Sequence, residues 1–283
     1  MMNFASDGGG PAKTVPLWKE VQWISPLISI IVWAIVAGWA LRTSPSPRYY
    51  HTYNPTISAL QPRETTTHPL HEDTISYPLL IGLSAAIGIV VPVVLEFTLQ
   101  HSALKRHFYV TLVNLWLGVL EAVLLTIAAT ELIKFSVGYL RPNFAAVCQP
   151  TLVNATSYEC SVASQVFEKS MLSFPSGHSS TGTAAGWYTT VRPMIYALWT
   201  IYARESRVTP RTAALCRQLL FLPALVPFLL ALAVSVTRVT DFKHHAVDVT
   251  MGTLLGLVFG SLVFIRVVQT LPTLPPCKDK TFK

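Results

Sequence analysis

The chain has 283 residues, of which 51% are hydrophobic and only 12% charged, and its formal net charge is +7. A soluble domain carries about 25% charged residues, so this composition excludes an ordinary soluble globular protein and points to an integral membrane protein. The basic residues sit in short loops between apolar runs, which suits anionic lipid headgroups and argues against nucleic acid. Four cysteines outside any metal-ligand spacing argue against a zinc site.

Residues 1 to 22 form a mostly polar tail, flexible around Gly8-Gly9-Gly10-Pro11. The apolar run from about Ile24 to Leu41 is too long for a signal-peptide core and lacks a small-residue cleavage site, so it reads as a first span. Further spans follow at about Tyr77 to Phe97, Val110 to Ile133, Ser179 to Tyr202, Leu219 to Val236 and Ala246 to Val268. A lysine-bearing tail covers 270 to 283. The expected fold is all-α, a polytopic bundle of six transmembrane helices within residues 23 to 269.

Six spans put both termini on one side. With that side cytosolic, the inner segments hold the larger share of basic residues, Lys105, Arg106, Arg204, Arg207, Arg211 and Arg217 among them. The positive-inside rule therefore favours cytosolic termini. The longest inter-span segment, Lys134 to Pro175, then falls outside or in a lumen. It carries Asn154-Ala155-Thr156, a glycosylation acceptor pattern. Cys148 and Cys160 share that segment and either close a small loop in an oxidising compartment or stay as thiols. Cys216 and Cys277 fall on the cytosolic side and are expected to be free.

Three polar clusters lie at the outer ends of the spans. Lys134-Phe-Ser-Val-Gly-Tyr-Leu-Arg141-Pro142 leaves span three, with Lys134 and Arg141 about two helical turns apart and Pro142 expected to stop the helix near Arg141. Ser173-Phe-Pro-Ser-Gly-His178 opens span four, where Ser176 and Gly177 lead into a helix N-terminus suited to an anion and His178 stands beside it. Thr237-Arg238 to Asp248 precedes span six, and a helix running from His244 puts Asp248 one turn on, placed to orient the imidazole. Each has a bland alternative: snorkelling cations, a capped helix start with a solvated histidine, or a basic juxtamembrane loop. Together they assemble three cations, an anion-binding helix start and two histidines. That set meets the needs of phosphoryl transfer through a covalent phosphohistidine.

The spacings Lys-x6-Arg-Pro, Pro-Ser-Gly-His and Arg-x5-His-x3-Asp resemble the three signatures of the type-2 phosphatidate phosphatase superfamily. Asp241-Phe-Lys-His-His245, Arg141 to Cys148 and Glu72-Asp-Thr-Ile-Ser-Tyr77 resemble its eukaryotic lipid phosphate phosphatases. The resemblance covers about Glu72 to Phe264 and is specific, since three motifs occur in order. It implies His244 as nucleophile, Asp248 as its orienting partner and His178 as general acid and base. It implies phosphate binding by Lys134, Arg141, Ser176, Gly177 and Arg238, and no role for His245. It implies a lipid phosphate substrate, phosphatidate first, and no metal or other cofactor. Thr237 stands where the family usually has serine, and Tyr139 replaces a common basic residue, which bears on substrate preference. A lipid phosphotransferase and an inactive relative acting as an interaction or transport protein are the alternative readings. Self-association into a homo-oligomer is left open.

Two ionisable residues fall inside spans. Glu121 lies thirteen residues before Lys134 and Arg192 fourteen after His178, both roughly 20 Å below the catalytic layer at 1.5 Å per residue. Antiparallel spans three and four make them an expected pair.

Overall fold

The computed structural model describes residues 19–46, 51–54, 59–62, 64–99, 105–154, 157–204 and 210–269. The order is α1 (Ile24–Ala40), β1 (His51–Asn54), β2 (Ala59–Pro62), α2 (Tyr77–Leu99), α3 (Lys105–Val137), α4 (Phe144–Cys148), β3 (Pro150–Asn154), β4 (Ser157–Cys160), α5 (Ser164–Phe167), α6 (Gly177–Arg204), α7 (Pro210–Thr240) and α8 (Ala246–Val268). The protein is mostly helical. Among the described residues, two antiparallel hairpins, β1–β2 and β3–β4, interrupt the all-α expectation in the segments between helices.

Among the described residues, four stretches are long and apolar enough to cross a bilayer: Tyr77–Phe97, Phe108–Val137, Phe221–Thr240 and Ala246–Val268. Their outward faces carry exposed Leu, Ile and Val, as lipid-facing helices should. The expected first and fourth spans differ in kind. Helix α1 is apolar but only 17 residues long. Helix α6 is the centre of the bundle, packed against α2, α3, α7 and α8. Ser179, Ser180, Thr181, Thr183, Ala184 and Ala185 are buried there. A helix surrounded by other helices is selected for small side chains and close approach, so its hydropathy falls.

The contact of α6 with α8 is made at the backbone. Gly252, Gly256 and Gly260 recur every four residues on α8, where i and i+4 share a face. A Cβ on them would lie 2.5, 2.6 and 3.2 Å from the carbonyl oxygens of Ser176, Ser180 and Ala184. Matching four-residue steps on both helices set their register.

Helix α3 ends at Val137, earlier than proline chemistry predicts. Gly138 takes a left-handed φ of 60° and its N–H returns to the Lys134 carbonyl, a C-terminal cap that a side chain would strain. A Cβ there would also meet the Ser46 carbonyl oxygen at 1.9 Å. Arg141 therefore lies on the turn after α3, and helical periodicity does not align it with Lys134.

The expected Glu121–Arg192 pair is not formed. Glu121 pairs with Arg266 of α8 and accepts from the Ser25 hydroxyl of α1 at 2.6 Å. Arg192 donates through Nε to Glu96 of α2 at 2.7 Å. Depth along a helix is readable from residue number, but the direction a side chain faces depends on which neighbours pack there. Arg266 also donates to Gln22, so α1, α3 and α8 are tied at one level.

Candidate active site

The start of α6 is held against α8 by the Ser176 N–H, which donates to the Asp248 carbonyl at 2.9 Å. Ser176 itself is fully buried, and its hydroxyl accepts from that of Ser179 at 3.1 Å. It thus works within the first turn of α6, behind the cavity wall. Gly177, by contrast, faces the cavity, as does His178 after it. A Cβ on Gly177 would lie 2.9 Å from Lys134 Nζ, so glycine leaves that ammonium its place. The free N–H groups and dipole of the helix start favour an anion here.

The cavity has a volume of about 610 Å³, and Lys134, Arg141, Gly177, His178, Arg238 and His244 all line it. Three segments far apart in sequence thus meet at one place. Asp73, Tyr77, Glu131 and Lys243 also face it, and Trp33, Ala37, Ile127 and Phe135 of α1 and α3 form an apolar side. Lys134 Nζ donates to Glu131 at 2.6 Å. Arg141 is fixed by its N–H on the Ser170 carbonyl at 2.8 Å, and its buried Nε has no partner among the described residues. Burial lowers Arg141 from its ordinary value, but a guanidinium starts high enough to stay charged.

Arg238 is fully buried at the end of α7. Its Nη1 donates to Asp73 and its Nη2 to Asp241, each at 2.8 Å, while Nε and Nη2 reach Thr237 Oγ1 at 3.2 and 3.0 Å. The hydroxyl kept at Thr237 thus supports the guanidinium. The Asp241 carboxyl is pushed up by burial, but the Thr74 hydroxyl and N–H and Arg238 more than offset this and hold it below its ordinary value.

His244 is 3% exposed. Its Nδ1–H donates to the Ser173 carbonyl at 2.7 Å, and Asp248 Oδ2 stands 3.7 Å away. The direct orienting bond is therefore to a backbone carbonyl, with Asp248 acting behind it as a charge. The carboxylate is occupied by the Ser173 hydroxyl at 2.5 Å and the His245 N–H at 2.9 Å. The reason is the start of α8: it begins at Ala246 with His245 as N-cap, so His244 precedes the helix and i, i+4 stacking does not hold. His245, expected to be idle, completes that cap. With Nδ1 protonated, the Nε2 lone pair of His244 is free for chemistry. Burial, opposed by Asp248 and helped by Arg141 and Lys134, lowers this ring to about 3.

His178 Nε2 lies 3.1 Å from the Ile75 carbonyl and 3.5 Å from Arg238 Nη1, and its ring meets the edge of Tyr77 at 5.2 Å. Burial first and Arg238 second lower it to about 4. Both rings are thus uncharged at neutral pH in the free protein. Among the described residues, no group of three or more His, Cys, Asp or Glu side chains is placed to hold a metal ion.

Cys148 and Cys160 are joined by a disulfide between the end of α4 and the end of β4. Cys148 also joins Leu140 and Phe144, on either side of Arg141 in sequence, in a small core. Asn154 ends β3, and the rest of its acceptor pattern lies outside the described residues, as does Cys277. Tyr139 packs on His245 with ring centres 5.0 Å apart.

A family model described as PAP2 superfamily matches residues 115–271. Phospholipid phosphatase 1 of Rattus norvegicus is 29% identical over 231 residues, 77% of this chain and 77% of that protein. Phospholipid phosphatase 2 of Bos taurus is 31% identical over 229 residues, 75% of this chain and 74% of that protein. A putative phosphatidate phosphatase of Drosophila melanogaster is 28% identical over 250 residues, 76% of this chain and 62% of that protein. No solved structure gives a significant match.

Proposed function

Because the chain belongs to the PAP2 superfamily, we propose that it hydrolyses lipid phosphomonoesters, phosphatidate to diacylglycerol and phosphate first among them, through a phosphohistidine at His244. The observation that carries this reading is the His244 ring. Its Nδ1 proton is committed to the Ser173 carbonyl, and it shares a cavity with Lys134, Arg141 and Arg238.

In the first step the Nε2 lone pair of His244 attacks phosphorus. The P–O ester bond breaks, its electrons pass to the lipid oxygen, and His178 supplies the proton. In the second, water attacks the phosphohistidine, His178 takes its proton, and the P–N bond breaks to release phosphate. Lys134, Arg141, Arg238 and the Gly177 N–H hold the non-bridging oxygens and stabilise the charge they gain. Ser176 and Asp248 support this cage from behind. Cationic side chains and N–H groups carry that load without a metal. The apolar side of the cavity suits the glyceride part of the substrate, and lysophosphatidate, sphingosine 1-phosphate and diacylglycerol pyrophosphate are related candidates.

The reading includes a multi-pass topology with α1, α2, α3, α6, α7 and α8 as spans of one domain, 23 to 269. Tails 1 to 22 and 270 to 283 would be cytosolic and the cavity would open outside or to a lumen, at the plasma membrane or an endomembrane. The Cys148–Cys160 disulfide supports an oxidising side, where Asn154 would be open to glycosylation.

The deciding experiment measures phosphate release from phosphatidate in detergent with a chelator present. Wild type is expected to remain active and His244→Ala to lose at least a thousandfold. Release that survives the substitution removes His244 from its role, and loss on adding chelator replaces this mechanism with a metal-dependent one.

A further inference from the structure

The residues before α2 are laid across the catalytic elements. The His68 N–H donates to the Pro142 carbonyl at 3.0 Å, and its ring stacks on Phe242 at 4.6 Å. Thr74 gives its N–H and its hydroxyl to Asp241, at 2.9 and 2.7 Å. The Ile75 carbonyl accepts from His178 Nε2. One strap thus touches the chain after α3, the start of α6 and the end of α7. Within it Asp73 faces the cavity, its side chain 42% exposed, with Oδ1 2.8 Å from Arg238 Nη1. That same nitrogen lies 3.5 Å from His178 Nε2.

We propose that Asp73 is a positioning residue for leaving-group protonation: it holds Arg238 in line and supplies the negative charge that lets His178 carry a proton to the departing lipid oxygen. This rests on the phosphohistidine reading above. Arg238 already has Asp241 on Nη2, so a second carboxylate is not needed to compensate its charge. Arg238 from α7 and Lys134 from α3 both oppose a proton on His178, while Asp73 favours one. The Ile75 carbonyl from the same strap accepts the Nε2 proton, and Tyr77 from α2 adds an uncharged edge. As the ester bond breaks, its electron pair moves to the lipid oxygen, which takes the proton and leaves His178 neutral.

The test is Asp73→Asn, assayed with phosphatidate and with p-nitrophenyl phosphate, whose phenolate leaves without a proton. The expected result is a fall of about tenfold in kcat/KM for phosphatidate relative to the aryl ester, with the alkaline limb of the phosphatidate profile moved to lower pH. Asp73→Glu is expected to restore the ratio. An equal loss on both substrates makes Asp73 structural, and an equal gain makes it a block on Arg238. Either outcome overturns the proposal, as does an unmoved alkaline limb. His244→Ala, run alongside, separates the two ideas: activity that survives it defeats the phosphohistidine itself, whereas the Asp73 outcomes defeat only the strap's role.

Discussion

Two charged layers lie about 20 Å apart along the same bundle, and they are built on opposite plans. At the far end, Glu96 meets Arg192 and Glu121 meets Arg266, so each carboxylate has its own guanidinium on a neighbouring helix. At the cavity end, Lys134, Arg141, Arg238 and Lys243 share one cavity with Glu131 and Asp73. The first layer is closed on itself and ties helices together. The second keeps an excess of positive charge facing open space, which an anion can satisfy. Matched charges mark structure, and unmatched ones mark a site.

The comparison breaks most sharply if the cavity cations prove interchangeable. Arg238→Lys keeps the charge but loses the planar fork that Asp73, Asp241 and Thr237 hold, and kcat/KM on phosphatidate is expected to fall about a hundredfold or more. Full activity would make the fork dispensable. Next, Glu121→Leu leaves Arg266 without its carboxylate and is expected to cost about 3 kcal/mol in stability. Its unfolding midpoint in detergent should drop while kcat per folded molecule holds. A loss of kcat at full stability would instead tie the far layer to catalysis.

Gly256→Ala puts a methyl 2.6 Å from the Ser180 carbonyl and is expected to cost about 2 kcal/mol. Because α8 carries the segment after His244, kcat should fall with it. An unchanged unfolding midpoint would show that α6 and α8 are less tightly matched than described. A last expectation concerns pH. His178 and His244, at about 4 and about 3, bind fewer protons folded than an unfolded histidine near 6.5 does. Their stability contribution is intact above 6.5 and is lost as pH falls below it. The unfolding midpoint should decline from pH 6.5 toward 4, and less steeply in His244→Asn.

Much of the cavity was legible because charged residues in a chain so poor in charge stand out. Lys134, Arg141, His178, Arg238 and His244 all stand out in this way, and all five line one cavity. The Ser173 carbonyl does not, because a backbone acceptor leaves no trace in side-chain identity. Asp73 sits in a polar loop 165 residues from Arg238, and only the folded chain brings the two together. The Glu121–Arg192 expectation failed for a related reason. Glu96 and Arg266 were passed over as parts of apolar runs, although each is the partner that packing supplies. The expected span from Ser179 to Tyr202 falls within α6, and only packing reveals that its serines and threonines face other helices.

Main-chain contact between α6 and α8 has a consequence for life in different bilayers. His178 opens α6 and His244 leads into α8, and these two helices meet glycine against carbonyl, with no long side chain to flex in between. Helices on the rim of the bundle can lean to follow a thinner or thicker membrane. In the proposed reaction the proton and the phosphoryl group would cross a gap framed by that inner pair, so it need not widen when the rim helices lean.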